Sequence, residues 1–545
     1  MHVVNNIVYL HGQAYSEAMK KWIPLIILAV AQFVMILDST VMNVSISTVA
    51  KDLGTTISGM QAAITLYALT MAAFMLIGGK LGDKWGRRRA FVIGSVIYGI
   101  GSLSTALSPN LAVLLTGWSL IEGLGAILVI PAIAALTAIN YKGNDRLKAF
   151  AIIGAVTGLA AAFGPVIGGF MTTYLSWRYV FAAETVIMIV VLIFSKRIFD
   201  TKPEKAVKID IPSALLSASG MALLVFGALQ SKTWGWITPL DTPVIAGQEV
   251  APFGISLVAY FILIGIVLLQ LFISRQKMLE RENRNPLLKV SLLKLPVLRS
   301  GLSVLLAQYF AIAAIFFVIP VYLQTILGYD ALTTGLKLLP LSVGLIIFTL
   351  VGSRLTASRG PRKVVRIGQL CLALGSLLLL ISITPTLGSA AFMIGLFIVG
   401  AGFGLLASQI GNVNMSAVPK DSTSEVGGLQ GTYQNLGTSF GTALAGSIFI
   451  LTLTSGFVTA VSQSTVSPEM KEAITAQAST GVGIVSPSEA KAMLMDNGAS
   501  ESTASEVANL YLSSQVDALR TAMFAVFAIS LISLVVSRNL PTASD

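Results

Sequence analysis

Runs of about 20 apolar residues, the length that crosses a bilayer core, recur along almost the whole chain and limit its fold more than any other feature. Eight fall near residues 22–46, 58–79, 90–108, 110–139, 148–173, 177–195, 211–230 and 252–273. Six more fall near 299–327, 331–353, 365–385, 388–411, 424–452 and 519–537. Polar or Gly/Pro turns separate them. With 11% charged residues, the chain has roughly half the charge that covers a soluble protein's surface, and its mean hydropathy is +0.82. The pattern predicts an all-α polytopic membrane protein with fourteen transmembrane helices.

Lysine and arginine orient those helices. The connections after even-numbered runs carry "GKLGDKWGRRR", "NYKGNDRLK", "SKRIFDTKPEKAVKID", "SRQKMLERENRNPLLK" and "SRLTASRGPRKVVR". With both termini on that face, it takes roughly 29 of the 36 basic residues, a bias that marks the cytoplasmic side. The net charge of +11 is thereby explained, and no nucleic-acid partner is expected. The predicted division is a cytoplasmic segment 1–21, a six-helix bundle 22–196, two linker helices with their loops 197–298, a second six-helix bundle 299–540 and a tail 541–545. The longest outer connection, 453–518, contains Ser486 and Glu489 at capping-box spacing, so short helices outside the membrane are expected there. That loop is read as a solvated cap, with an acidic funnel for cations as the alternative. The opening "MHVVNNIVYLHGQAYSEAMKKW" lacks the basic start, apolar middle and cleavage site of a secretory signal, and Met19 reads as an alternative start.

Several chemistries are excluded. Both histidines, His2 and His11, lie in the first dozen residues, and Cys371 is the single cysteine. Neither a His- or Cys-based metal site nor an internal disulfide fits that inventory. No G-x-x-x-x-G-K-[ST] phosphate loop occurs. An enzyme is not expected, no cofactor is expected, and uphill movement would draw on an ion gradient or a separate subunit.

Between the second and third runs, "GGKLGDKWGRRRAF" sets Asp83 among five bases, with Gly79, Gly82 and Gly86 permitting a tight turn and Arg87 to Arg89 holding it at the membrane face. The ordered G-x-x-x-D-K-x-G-R-R formed by Gly79, Asp83, Gly86, Arg87 and Arg88 resembles the cytoplasmic gating signature of the major facilitator superfamily. A weaker echo, "SRLTASRGPRK" at 353–363, places Ala357 at the acid's position and Gly360 at that of Gly86. Two echoes imply duplicated halves, a 6 + 2 + 6 arrangement of the major facilitator fold, and a substrate site between the halves near the midplane. In the fifth run, "GAVTGLAAAFGPVIGG" contains Gly154, Gly158, Gly164, Pro165, Gly168 and Gly169; small residues let helices approach and proline bends them. The segment looks like the superfamily's antiporter signature, which implies export. "ILDSTVMNVSISTVAKDL", "DIPSALL", "SWRYVF" and "GGLQGTYQNLGTSFGTALAG" are similar to the fourteen-helix drug:proton antiporter branch. In the first of these, Asp38, Thr40 and Asn43 fit and Ser47 replaces a proline. The resemblance covers essentially the whole chain and is weakest in 453–518.

Three carboxylates interrupt the apolar runs. An ionised acid at the bilayer centre costs roughly 2.5–3.5 kcal/mol on insertion scales, so it persists mainly where it meets water, a partner or a proton. Counting along the helices, Asp38 lies about two-thirds of the way across the first run and Glu122 near the middle of the fourth. Glu184 lies about two turns into the sixth from its outer end, near enough to the interface to be solvated or hydrogen-bonded. All three are candidates for proton coupling or for pairing with a substrate cation. The superfamily resemblance places an arginine, credited with assisting proton transfer, where this chain has Trp118, and a glutamine where it has Glu122. Glu122 is therefore expected to supply the titrating or cation-binding group.

Gln32, Tyr67, Gln308, Tyr309, Gln430, Tyr433 and Gln434 are the candidates to line a cavity, with Gln61 and Gln409 as further polar residues and Phe316 and Phe317 as apolar surface. Acids with aromatics would suit lipophilic cations. The expected function is a proton-driven exporter of small amphipathic, cationic drugs or toxic compounds, monomeric, in the bacterial cell membrane. The rivals are a dedicated exporter of one natural product or siderophore, and a membrane sensor that no longer transports.

Overall fold

The computed structural model describes residues 2–542 apart from 201–208, 241, 246–247, 387–389, 420–422 and 479–481. Fourteen of its helices are long and apolar enough to cross a membrane. They are α1 (Lys21–Val44), α2 (Ile57–Trp85), α3 (Arg87–Ala106), α4 (Leu111–Asn140), α5 (Lys148–Tyr174), α6 (Arg178–Arg197) and α7 (Ile211–Ser231). The rest are α8 (Leu257–Arg281), α9 (Pro296–Ile326), α10 (Ala331–Thr356), α11 (Pro361–Ser382), α12 (Ala390–Ser416), α13 (Glu425–Gln463) and α14 (Glu501–Asn539). One ladder, Val244–Ile245 with Gln248–Glu249, is antiparallel.

Local chemistry sets the helix ends. Asn110 accepts from the Val113 amide at 3.1 Å to start α4, and Asp210 caps α7 through the Ser213 amide. The two echoed turns share one backbone solution: Gly86 has φ 97° and ψ 139°, and Gly360 has φ 75° and ψ 156°. Both are left-handed positions that favour glycine, and each breaks a continuous helical pair at the basic face.

The outer connection between α13 and α14 departs from the sequence expectation. α13 runs on to Gln463 and α14 begins at Glu501, so residues 453–463 and 501–518 prolong the spans. Their polar residues satisfy a solvent-facing helix as well as a loop. Between them lie the helices Pro468–Ala478 and Pro487–Asp496. The latter carries the complete capping box: the Glu489 amide donates to Ser486 Oγ at 3.2 Å and the Ser486 amide to Glu489 Oε2 at 2.9 Å.

Helices α1–α6 and α9–α14 meet along a few seams. α2 packs along α13, and α5 along α10. Gln61 Nε2 donates to the Thr442 carbonyl at 2.9 Å, and Ser439 Oγ to the Thr65 carbonyl at 3.1 Å. Gly335 would place a Cβ 2.3 Å from the Pro165 carbonyl oxygen, and Gly169 one 2.5 Å from that of Ala331, so neither accepts a side chain. α7 and α8 pair with each other, and α7 lies against α2 and α13. Arg275 grips Asp210 with two bonds, 2.6 and 2.8 Å, which together with the Ser213 bonds hold the Asp210 carboxyl well below its usual range.

Candidate functional site

The three intramembrane acids converge. Asp38 from α1, Glu122 from α4 and Glu184 from α6 each bring one oxygen to within 4.8 Å of the others. All are buried, and among the described residues no other carboxylate is. Glu184 is therefore not a solvated interfacial residue: α3 and α6 close over it, and it is 1% exposed.

The close approach of α3 and α4 positions this group. A Cβ at Gly101 would lie 2.6 Å from the Glu122 amide nitrogen, and one at Gly125 would lie 2.5 Å from that of Tyr98. The two backbones thus touch at glycines, as small residues permit. Along Leu115–Glu122, α4 widens into a π-helix before resuming as an α-helix at Gly123. Wide turns of this kind concentrate at functional sites, and this one carries both Trp118 and Glu122.

Hydrogen bonds satisfy only part of the cluster. Trp118 Nε1–H donates to Asp38 Oδ1 at 2.8 Å, and the Trp118 ring stacks on Tyr67 with centroids 4.8 Å apart and planes 4° from parallel. The Tyr98 and Ser102 hydroxyls donate to Glu184 Oε2 at 3.4 and 3.3 Å. Asp38 Oδ2, both Glu122 oxygens and Glu184 Oε1 have no partner. Arg87 is the one buried cation among the described residues, and it is ion-paired to Asp83. Two unit charges about 5 Å apart repel by about 3 kcal/mol even at an effective dielectric of 20. The cluster therefore suits shared protons or a small bound cation, and three free charges do not fit it.

The Gly86 turn between α2 and α3 is a compact unit. Arg87 pairs with Asp83 and donates to the Gly79 carbonyl at 3.1 Å, and the Arg88 amide donates to Asp200 at 3.0 Å. The glycine run of α5 divides. Gly164 lies on Thr40, Gly168 on Val41 and Gly169 on Ala331, each closer than a Cβ allows. Gly154 and Gly158, expected to pack as part of the same run, face open space because no neighbour comes within 4 Å of a Cβ there.

The cavity candidates also divide. Tyr67 belongs to the acid site. Gln61, Gln409 and Gln430 donate to backbone carbonyls of neighbouring helices, and Phe316 and Phe317 are core residues. Gln308 is buried with Oε1 unpartnered. Gln32, Tyr309, Tyr433 and Gln434 are half-buried. Sequence reasoning passed over Tyr98 and Ser102; their four-residue spacing on one face of α3 was the available signal.

Fourteen membrane-length helices around a buried ionisable cluster define a multi-pass membrane transporter, with the chemistry of translocation in place of catalysis. The chain belongs to the Major Facilitator Superfamily, which it matches over residues 28–442, and it is a transporter of the cell membrane, not an enzyme. It is 26% identical to the puromycin resistance protein pur8 of Streptomyces alboniger over 79% of this chain and 82% of that one. It is 28% identical to a probable actinorhodin transporter of Streptomyces coelicolor over 79% of this chain and 72% of that one. Among solved structures, a bacterial homolog of the human lysosomal transporter Spinster, inward-facing and unoccupied, superposes with a TM-score of 0.59 at 12% identity. That match covers 96% of this chain and 98% of the other.

Proposed function

We propose that this protein exports small amphipathic compounds, drugs or antibiotics among them, in exchange for protons. The observation that carries the reading is the carboxylate trio, buried and within 4.8 Å, with no described basic side chain paired to it. The relatives named for puromycin resistance and actinorhodin transport support export as the direction. A carboxyl shielded from water takes up a proton more readily than one in water and gives it up when water returns. Asp38, Glu122 and Glu184 would load protons while the site faces outward and release them when it faces the cytoplasm. The basic face would be cytoplasmic, with both termini there. The Trp118 indole would hold one Asp38 oxygen in place, leaving the other to exchange. A cationic substrate would compete with protons for the same oxygens, and the protein would act as a monomer without a bound cofactor. A dedicated exporter of one natural product is the second reading, favoured by the relative named for actinorhodin alone.

Proteoliposomes test this directly. An imposed pH gradient should drive uphill movement of an ethidium-like dye, and a protonophore should stop it. Flux that ignores the protonophore would overturn proton coupling. If puromycin or a polyketide moves while dyes do not, the dedicated reading replaces the broad one.

A further inference from the structure

The two echoed glycine turns differ in what neutralises their bases. In the turn at Gly86, Asp83 neutralises Arg87 and nearby Lys80 approaches Glu425 at 3.9 Å; Asp200 accepts from the uncharged backbone amide of Arg88. In the turn at Gly360 the acid position is Ala357. Arg359, Lys363 and Arg366 there line one groove of about 400 Å³ together with Ile367 and Leu370. No described acid pairs with any of the three, and the protein bond among their side chains is from Arg366 Nε to Ser537 Oγ, at 3.3 Å.

Above the groove the same face of α11 continues as an exposed apolar stripe. Leu370, Leu374, Leu377 and Ile381 are 51, 52, 39 and 56% exposed, at the three- and four-residue spacing of one helix face. From Leu370 to Ile381 the stripe rises about 16 Å, parallel to the acyl chains of a surrounding bilayer. Cations at one end and an aliphatic track leading away from them match the headgroup and chain of one amphiphile. Basic residues at a membrane face also follow from topology alone. What distinguishes this place is that three of them face one groove with no acid among the described residues paired to them, whereas the duplicate turn supplies Asp83 for Arg87.

We propose that the groove at the α10–α11 turn binds the phosphate headgroup of an anionic phospholipid, with one acyl chain along α11. The lipid's phosphate would do for Arg359, Lys363 and Arg366 what Asp83 does for Arg87. The inference does not depend on proton coupling or on the exported substrate.

Native mass spectrometry of the purified full chain would test it, with phosphatidylglycerol and phosphatidylcholine of identical acyl chains as probes. Each Lys or Arg near an anionic headgroup contributes a factor of roughly five in affinity. The unaltered protein should therefore retain phosphatidylglycerol preferentially, and R359Q/K363Q/R366Q should lose most of that preference. Lys363→Gln alone, at an exposed position, should lower it by roughly fivefold and covers the case in which the triple variant fails to fold. Charge-neutralising Lys277→Gln, on the separate surface of α8, should leave it unchanged. Equal preference in the Lys363→Gln or triple variant and the parent would overturn the site. Displacement of the lipid by millimolar inorganic phosphate would overturn the assignment to a lipid in favour of a free anion.

Discussion

The two six-helix groups bury different polar chemistry. Among the described residues, helices α1–α6 enclose the carboxyls Asp38, Glu122 and Glu184 beside the amide of Gln61, whereas α9–α14 enclose amides and no carboxyl: Gln308, Gln369, Gln409, Asn414, Gln430 and Gln515. Carboxyls change charge with proton binding; amides do not. Duplicated architecture therefore carries an asymmetric load, with the buried carboxyls of the described residues confined to one half. The amides of the other half join helices through bonds that pH leaves untouched. Gln409 Nε2 reaches the Gly352 carbonyl at 3.3 Å and Gln369 Nε2 reaches Ser533 Oγ at 2.7 Å, both within the C-terminal group. Gln308 Oε1 and both side-chain polar atoms of Asn414 are buried with no hydrogen-bond partner.

Neutralising two of the three acids is the harshest way to break this contrast. Asp38→Asn with Glu122→Gln should reduce gradient-driven dye export in proteoliposomes to the level of protein-free vesicles, while Gln308→Ala should keep the response to the gradient and alter which compounds move. If the Gln308 variant loses coupling and the double carboxyl variant keeps it, the division of labour is reversed. Gly101→Val comes next, since it drives a side chain into the α4 backbone at Glu122. A loss of about 1–3 kcal/mol or more is expected from such overpacking, read as a lower melting temperature in detergent. The same substitution at Gly154, where a Cβ meets nothing, should be nearly silent.

At the basic face, Asp83→Asn removes the ion partner of largely buried Arg87. A cost of about 1–3 kcal/mol is expected for an unpaired charged group, visible as faster proteolysis at the turn. The Gly360 turn has no such acid to lose. The smallest effect belongs to the outer surface. Lys51 lies 2.8 Å from Glu489, and that pairing, with the Ser486 bonds, holds the Glu489 carboxyl down at about 2. A depressed carboxyl contributes stability above its ordinary value near 4.3 and loses it as pH falls toward about 2. Because both side chains are well exposed, the contribution is about 1 kcal/mol or less. Glu489→Gln should thus shift melting slightly at neutral pH and not at all near pH 2.

The spans were legible because bilayer thickness imposes length and hydropathy together, and all fourteen apolar runs became helices. The Gly86 and Gly360 turns were equally readable, since a left-handed residue between basic helical ends favours glycine. Asp38, Glu122 and Glu184 could be singled out one by one, because each breaks an apolar run. Their convergence could not, because it depends on which faces of α1, α4 and α6 meet, and the π-helical stretch in α4 changes that facing without a sequence signature. Trp118 was visible only as a missing arginine; that its indole would reach Asp38 required the fold. The projecting ends of α13 and α14 were hidden for a simpler reason: amphipathic helix and solvated loop share one composition.

Those projecting ends carry a practical consequence. Each of the two helices has 39 residues, about 58 Å of rise beside a hydrocarbon layer of about 30 Å. The surplus, capped by Pro468–Ala478 and Pro487–Asp496, forms a fixed landmark beyond the lipid, on a protein class that usually offers particle imaging little more than a featureless micelle. An antibody fragment raised against it would supply alignment mass without a grafted fusion.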